Sequence, residues 1–296
     1  MATLLRTDVI SKAEALGLKA RAVVEGMRVG DHKSPYHGFS VEFIQHREYV
    51  PGDDIRYIDW RVYGRNERYA IKQYEQETNF VGHIVLDASR SMLFGEGDQN
   101  KLGYAKILAA ALSYLIIQQR DSAGLSIFDA GWRLQVPHGS QPGHVQQILR
   151  ALEGTEPQEK TAIGPLLHSL AEKVRRRGLV FLISDCLDEV PGILEGLRHL
   201  RFMGHEVTVF HVLHEEEIGF PFEGMVKFDG MEEKMHLLTR PQLIRPSYLK
   251  ALQAYLKELQ EGCVANRCDY VLMDTSKPLG ETLATYLARR LRVRRI

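Results

Sequence analysis

The chain of 296 residues is 44% hydrophobic and 26% charged, an ordinary globular composition, and is long enough for one large domain with appendages or for two domains. Its 38 basic and 38 acidic residues cancel, so no net charge draws it to nucleic acid or to an anionic membrane. No apolar run approaches the roughly 20 residues that cross a bilayer, and Met1 to Asp8 lacks the apolar core of a signal peptide, which predicts a cytoplasmic protein without a membrane span.

Val9, Ile10, Ala13, Leu16, Ala20, Val23, Val24 and Met27 recur at helical spacing behind Asp8, a suitable N-cap. The spacing predicts an amphipathic helix over 8–29, packed on the protein itself. A loop containing Gly, His and Pro runs to Gly38. Glu42 to Val50 then leads into Pro51-Gly52-Asp53-Asp54, a turn signal because Pro presets φ and Gly accepts a positive one. The chain returns through Ile55 to Trp60, and Tyr69 to Glu77 reads as another strand. Arg47, Asp53, Asp54, Arg56, Asp59, Arg61 and Arg65 are dense enough for a partly buried ion-pair network, although a solvated charged face has the same composition.

Val81 to Leu86 is an apolar run of β-formers too short for a helix and reads as a buried central strand. It ends in Asp87-Ala88-Ser89-Arg90-Ser91, which places a carboxylate and two hydroxyls at alternate positions as the chain leaves the sheet. Such hard oxygen donors suit magnesium, and open α/β sheets bind ligands at the carboxyl ends of their strands. The same residue types also cap helices.

Lys101 to Gln119, rich in Ala, Leu and Ile, predicts a helix buried on the sheet. Strands follow at Ser122 to Phe128 and Trp132 to Val136, paired across Asp129-Ala130-Gly131, then a helix from Gly143 to Leu152. After a polar loop, a helix opens at Thr161 and runs to about Arg177, with Arg175, Arg176 and Arg177 set to oppose the macrodipole at its end. Gly178 to Ile183 is a buried strand closing on Ser184-Asp185, and helix Val190 to Phe202 and strand Glu206 to Leu213 continue the alternation. Residues 214–240 interrupt it with a hairpin of Met225 to Asp229 and Lys234 to Leu238. Helix Pro246 to Glu261, strand Asp269 to Met273 and helix Leu279 to Leu291 complete a doubly wound, mainly parallel α/β sheet. The arginine-rich tail, Arg289 to Ile296, reads as a solvated helix end.

Three cysteines, Cys186, Cys263 and Cys268, form no paired Cys-x-x-Cys knuckles, and no His-Glu-x-x-His occurs among twelve histidines. His211-x-x-His214 follows an apolar strand and is assigned to packing or exposure.

Arg47-x-Tyr49-x-Pro51-Gly52-Asp53-Asp54-x-Arg56-x-Ile58-Asp59-Trp60, with Gly64-Arg65 and with Glu75 and Glu77, resembles the signature of the bacterial domain-of-unknown-function 58 family. The likeness is close from about Gly38 to Met92 and departs mildly at Tyr63-Gly64-Arg65, where the family often has Ala-Arg after the Trp. It implies a von Willebrand factor A-like, Rossmann-like domain over 80–296, with a hairpin insertion near 214–240. Residues 1–79 would form an N-terminal helix and β-hairpin extension packed on that domain. It further implies a metal-ion-dependent adhesion site made of Asp87, Ser89 and Ser91, of Thr161, and of Asp185. That site would hold magnesium, or another divalent cation such as manganese or calcium, and a partner protein would donate a carboxylate to it.

Family members are often encoded beside AAA ATPases of the MoxR class. The resemblance therefore implies a non-enzymatic adaptor for such an ATPase, in complex assembly, metal-centre insertion, envelope stress or a chaperone-like role. Two alternatives stand beside it. A phosphatase could use Asp87 as nucleophile, but Ser89 stands where the acid/base Asp of haloacid-dehalogenase-type enzymes would be. A structural scaffold with an unoccupied site is the other. No Gly-x-Ser-x-Gly elbow or phosphate-binding P-loop occurs, and no nucleophile–base pair is evident.

Overall fold

The computed structural model describes Leu16 and residues 40–50, 58–77, 81–97, 100–157, 162–231 and 236–293. Leu16 is helical and buried. The rest of the helix expected over 8–29, the turn at Pro51 to Asp54, and Thr161 lie outside the described residues.

The chain divides into two compact units, one of them Tyr36–Phe80. In it, β1 (Ser40–Glu48) and β2 (Ala70–Glu77) pair antiparallel, with a bulge between Phe43 and Gln45. Ile58 makes a single bridge to Ile71, and the chain then turns into α1 (Trp60–Asn66), a helix in the stretch between the return ending at Trp60 and the strand expected from Tyr69. Asp59 is the cause. Its Oδ1 accepts from the backbone N–H groups of Arg61 at 2.9 Å and Val62 at 3.4 Å, the geometry of an N-cap. His46 Nε2 lies 2.9 Å from the other carboxylate oxygen of Asp59. Trp60 is 61% exposed and meets Tyr63 edge-on, while Tyr63 stacks on Tyr69 at 4.6 Å.

The second unit holds a six-stranded sheet. Its strands are β3 (Val81–Asp87), β4 (Ser122–Phe128), β5 (Trp132–Gly139), β6 (Leu179–Ser184), β7 (Glu206–Leu213) and β10 (Asp269–Asp274), in the order β10-β7-β6-β3-β4-β5. Every neighbouring pair is parallel except β4 and β5. The central strands β3 and β6 are buried along their whole length, as near-continuous apolar runs in a two-sided sheet must be.

Side-chain alternation sorts the helices onto the two faces. Val180 and Leu182 of β6 join Leu167 and Leu170 of α4 (Ile163–Lys173) and Ile193 and Leu197 of α5 (Val190–Phe202) in one core, which also takes in Leu259 and Cys263 of α7 (Pro241–Ala265). On the opposite face Phe181 stacks against Phe210 at 6.0 Å, and Phe210 meets Tyr286 of α8 (Leu279–Val293) at 5.2 Å. The helix α2 (Lys101–Gln118) is buried almost all round, and α3 (His144–Glu153) follows β5. Helices α4 and α5 cross so closely that a Cβ on Gly196 would lie 2.6 Å from Cβ of Leu167, so that position takes no side chain.

Two helix boundaries differ from the sequence reading, and one further short helix is added to it. Helix α4 stops at Lys173, because Val174 turns extended and packs on the core. Arg175, Arg176 and Arg177 therefore follow the helix and do not cap its last turn. Helix α7 begins at Pro241, five residues earlier than expected, and carries Pro246 inside it. The missing amide there costs one bond in early turns whose residues are largely exposed. Between β7 and the hairpin of β8 (Val226–Asp229) and β9 (His236–Thr239) lies a short helix that periodicity did not reveal, α6 (Glu215–Gly219).

Candidate functional site

The carboxyl ends of β3, β6 and β7 meet at one lip of the sheet, and the expected oxygen ligands that are described lie there. Asp87 is the last residue of β3, and its side chain is fully buried. The N–H of Ser89 donates to Asp87 Oδ1 at 2.9 Å, which folds the loop back over the strand end. A short helical turn, Arg90–Leu93, follows and buries Ser91. The two hydroxyl oxygens, of Ser89 and Ser91, stand 3.0 Å apart.

From β6, the Ser184 hydroxyl donates to Asp87 Oδ2 at 2.5 Å and accepts from the N–H of Cys186 at 2.9 Å. Ser184 therefore fixes the Asp87 carboxylate from the neighbouring strand. The next residue, Asp185, is also fully buried, and its negative charge reaches Asp87. Burial first, and then the Asp185 charge, push the Asp87 carboxyl up to about 7, against the hydrogen bonds from Ser184 and Ser89.

The cation of the site comes from α2. Lys101, its first residue, extends a completely buried side chain whose Nζ donates to Asp185 Oδ2 at 2.8 Å and to Glu217 Oε1 at 2.8 Å. Burial pulls the Lys101 ammonium down, but the charges of Asp185 and Glu217 outweigh it and leave the ammonium above its ordinary range. Glu217 belongs to α6, where its other oxygen accepts from the N–H of His214 at 2.8 Å in a capping box. Phe94 lies beside both, its ring centroid 5.8 Å from Lys101 Nζ and 5.3 Å from the His214 ring. His211 donates or accepts through Nδ1 to Tyr270 at 2.8 Å, and burial drives its imidazole down to about 4, so it is neutral at pH 7.

Of the five residues expected at a metal centre, Asp87, Ser89, Ser91 and Asp185 thus lie at one lip. Thr161 is outside the described residues, although the nearby Ile163 N–H, at the start of α4, donates to Asp188 at 2.8 Å. Asp185 faces an ammonium, a partner that motif reading did not provide. Among the described residues, no three His, Cys, Asp or Glu side chains are grouped to hold a metal ion, so any ion here would rely on hydroxyls and water as well as carboxylate. The donor set fits such an ion in part. Oxygens in adjacent positions about magnesium, each roughly 2.1 Å from it, lie about 3.0 Å apart, the spacing of the Ser89 and Ser91 oxygens.

Ser184, Lys101 and Glu217 escaped the sequence reading. The one available signal was a lysine opening a helix otherwise made of Ala, Leu and Ile; nothing in the local sequence says which carboxylates it meets.

The family model described as "Protein of unknown function DUF58" matches residues 45–257. The chain belongs to this family. Uncharacterized proteins of Mycobacterium bovis and Mycobacterium tuberculosis are 30% identical to it over 223 residues, which cover 73% of this chain and 69% of theirs. Among solved structures, the conserved hypothetical protein BatB from Bacteroides thetaiotaomicron is 18% identical at a TM-score of 0.45, covering 72% of this chain and 99% of that one. An aerotolerance-related membrane protein from Bacteroides fragilis, also 18% identical, covers 72% and 98% at 0.46. The SpRpn10 VWA domain is 12% identical and covers 70% and 94% at 0.39. Likenesses this loose say nothing about function. In this DUF58 chain no helix among the described residues is long and apolar enough to cross a membrane.

Proposed function

We propose that this DUF58 chain is a non-enzymatic protein-interaction module whose Asp87 loop takes a divalent cation, magnesium or a relative such as manganese or calcium. The observation that carries the reading is the Asp87–Ser89–Ser91 loop, buried at the carboxyl lip of a parallel sheet with its hydroxyl oxygens 3.0 Å apart. When bound, the cation would offer a coordination position to a carboxylate from a partner. The chain's own residues prepare the place. Ser184 orients Asp87, Ser89 and Ser91 add neutral oxygens, and Lys101 holds Asp185 in position. Asp185 and Glu217 share one ammonium, and the Asp87 carboxyl beside Asp185 adds a third acidic group, whose ionised form a divalent ion would favour. The family resemblance supports a MoxR-type AAA ATPase as the partner, with this chain as its adaptor in complex assembly or a chaperone-like role.

Titration calorimetry with magnesium chloride tests the reading on the wild type, on Asp87→Ala and on Ser89→Ala/Ser91→Ala. Binding should be lost in the first variant and weakened in the second, with both variants still folded by circular dichroism. Unchanged magnesium binding in a folded Asp87→Ala protein removes Asp87 from the site. Turnover of a phosphate ester that needs metal and Asp87 would replace an adaptor by a hydrolase.

A further inference from the structure

A second surface lies along the outer side of β10, the edge strand next to β7. The two edges of the sheet are built differently. The β5 edge carries Arg133 and Pro137, residues of the kind that blunt an edge against further pairing. At the other edge, β10 runs Asp-Tyr-Val-Leu-Met-Asp, with no proline or cation in it, and Leu272 is 38% exposed. Among the described residues β10 pairs with β7 alone.

A cavity of about 760 Å³ lies along this strand. It is lined by four consecutive β10 residues, Asp269 to Leu272. Successive side chains of a strand point to opposite faces, so a space touching all four reaches the backbone edge, while Thr282, Thr285 and Tyr286 of α8 wall it on one face. The cavity extends from Arg267, just before the strand, to Lys277, just after it, the reach of a segment of about six extended residues.

Its charge is one-sided. Two of its carboxylates, Glu206 and Asp269, are already bound by Arg290, which reaches Asp269 at 2.7 Å and also bonds Glu206. Lys277 pairs with Asp274 at 3.5 Å, which leaves Arg201, Arg267 and Arg289 against Glu281 in the lining, with Arg267 and Arg289 exposed.

We propose that the β10 edge is a docking site for an extended acidic segment of a partner protein, which adds to the sheet as a seventh strand. Main-chain hydrogen bonds to the edge that the described residues leave unpaired give affinity, Leu272 and Val271 supply apolar contact, and the arginines select acidic side chains.

The test uses the full chain and two fluorescein-labelled peptides of about seven residues that alternate valine with glutamate or valine with lysine, read by fluorescence polarisation. The glutamate peptide should bind, more weakly as salt rises, and the lysine peptide should not. Arg267→Glu/Arg289→Glu and Leu272→Lys alter exposed side chains, so their melting should match the wild type, and each should weaken the glutamate peptide about tenfold or more. Failure of the glutamate peptide to bind, equal binding of both peptides, or full binding by both variants overturns the proposal. So does a concentration-dependent dimer, seen by light scattering, that Leu272→Lys abolishes, since the edge would then belong to a second copy of the chain.

Discussion

Replacing Lys101 by Met tests the electrostatic account of the site most directly. Met keeps much of the volume of the lysine stem and removes only its charge and donors. In the native protein the ammonium is fully buried and makes two 2.8 Å bonds, one to Asp185, fully buried, and one to Glu217, whose side chain is 16% exposed. Deleting one member of a buried pair leaves its partner charge unbalanced in a poorly solvated place, at a cost of about 3–5 kcal/mol. Among the described residues Asp185 would keep a single 3.3 Å bond from the Leu187 N–H, too little to replace the ammonium. Glu217 can turn toward water and adds less. At roughly 2–4 °C per kcal/mol for a domain of this size, melting should fall by about 6–20 °C. Urea denaturation at pH 7.5 with a chelator present should show the loss as a shift in midpoint without a change in slope. The double variant Lys101→Met/Asp185→Asn should recover much of it, because the orphaned charge is gone. A loss below about 1 kcal/mol, or a double variant no better than the single, would refute the claim that this ammonium balances Asp185.

Acid should destabilise the fold. Burial holds His83 down at about 3 and His211 at about 4, both below the 6.5 of an unfolded histidine. Stability from both is therefore complete above pH 6.5 and declines below it, by roughly 1.4 kcal/mol per pH unit for each group. Asp87 works in the other direction, since its folded value of about 7 exceeds its unfolded 3.8, and it returns a similar amount as pH falls through the same range. The net loss from pH 6.5 to 5 should be about 2 kcal/mol in urea titrations and steeper in Asp87→Asn; a flat profile in both proteins would count against these assignments. Trp60→Ala should change stability by no more than about 1 kcal/mol because the ring is mostly exposed, and a melting drop beyond about 5 °C would show that it is not.

Much of the architecture is legible in the sequence because burial leaves a periodic trace. The unbroken apolar runs of β3 and β6 and the Ala- and Leu-rich α2 each announce their layer within a few residues, and so does the loop that bears Asp87, Ser89 and Ser91. Local cues failed where distant packing prevailed: Val174 leaves α4 to join a core formed by other elements, and Pro246 sits within α7 because its neighbours tolerate one missing bond. Only the tertiary structure decided the electrostatics of the lip. Lys101 and Asp185 lie 84 residues apart, and Lys101 and Glu217 lie 116 apart, so no motif spacing could couple them. The parallel sheet brings the ends of β3, β6 and β7 side by side, and in that dry corner a buried charge must find an opposite one.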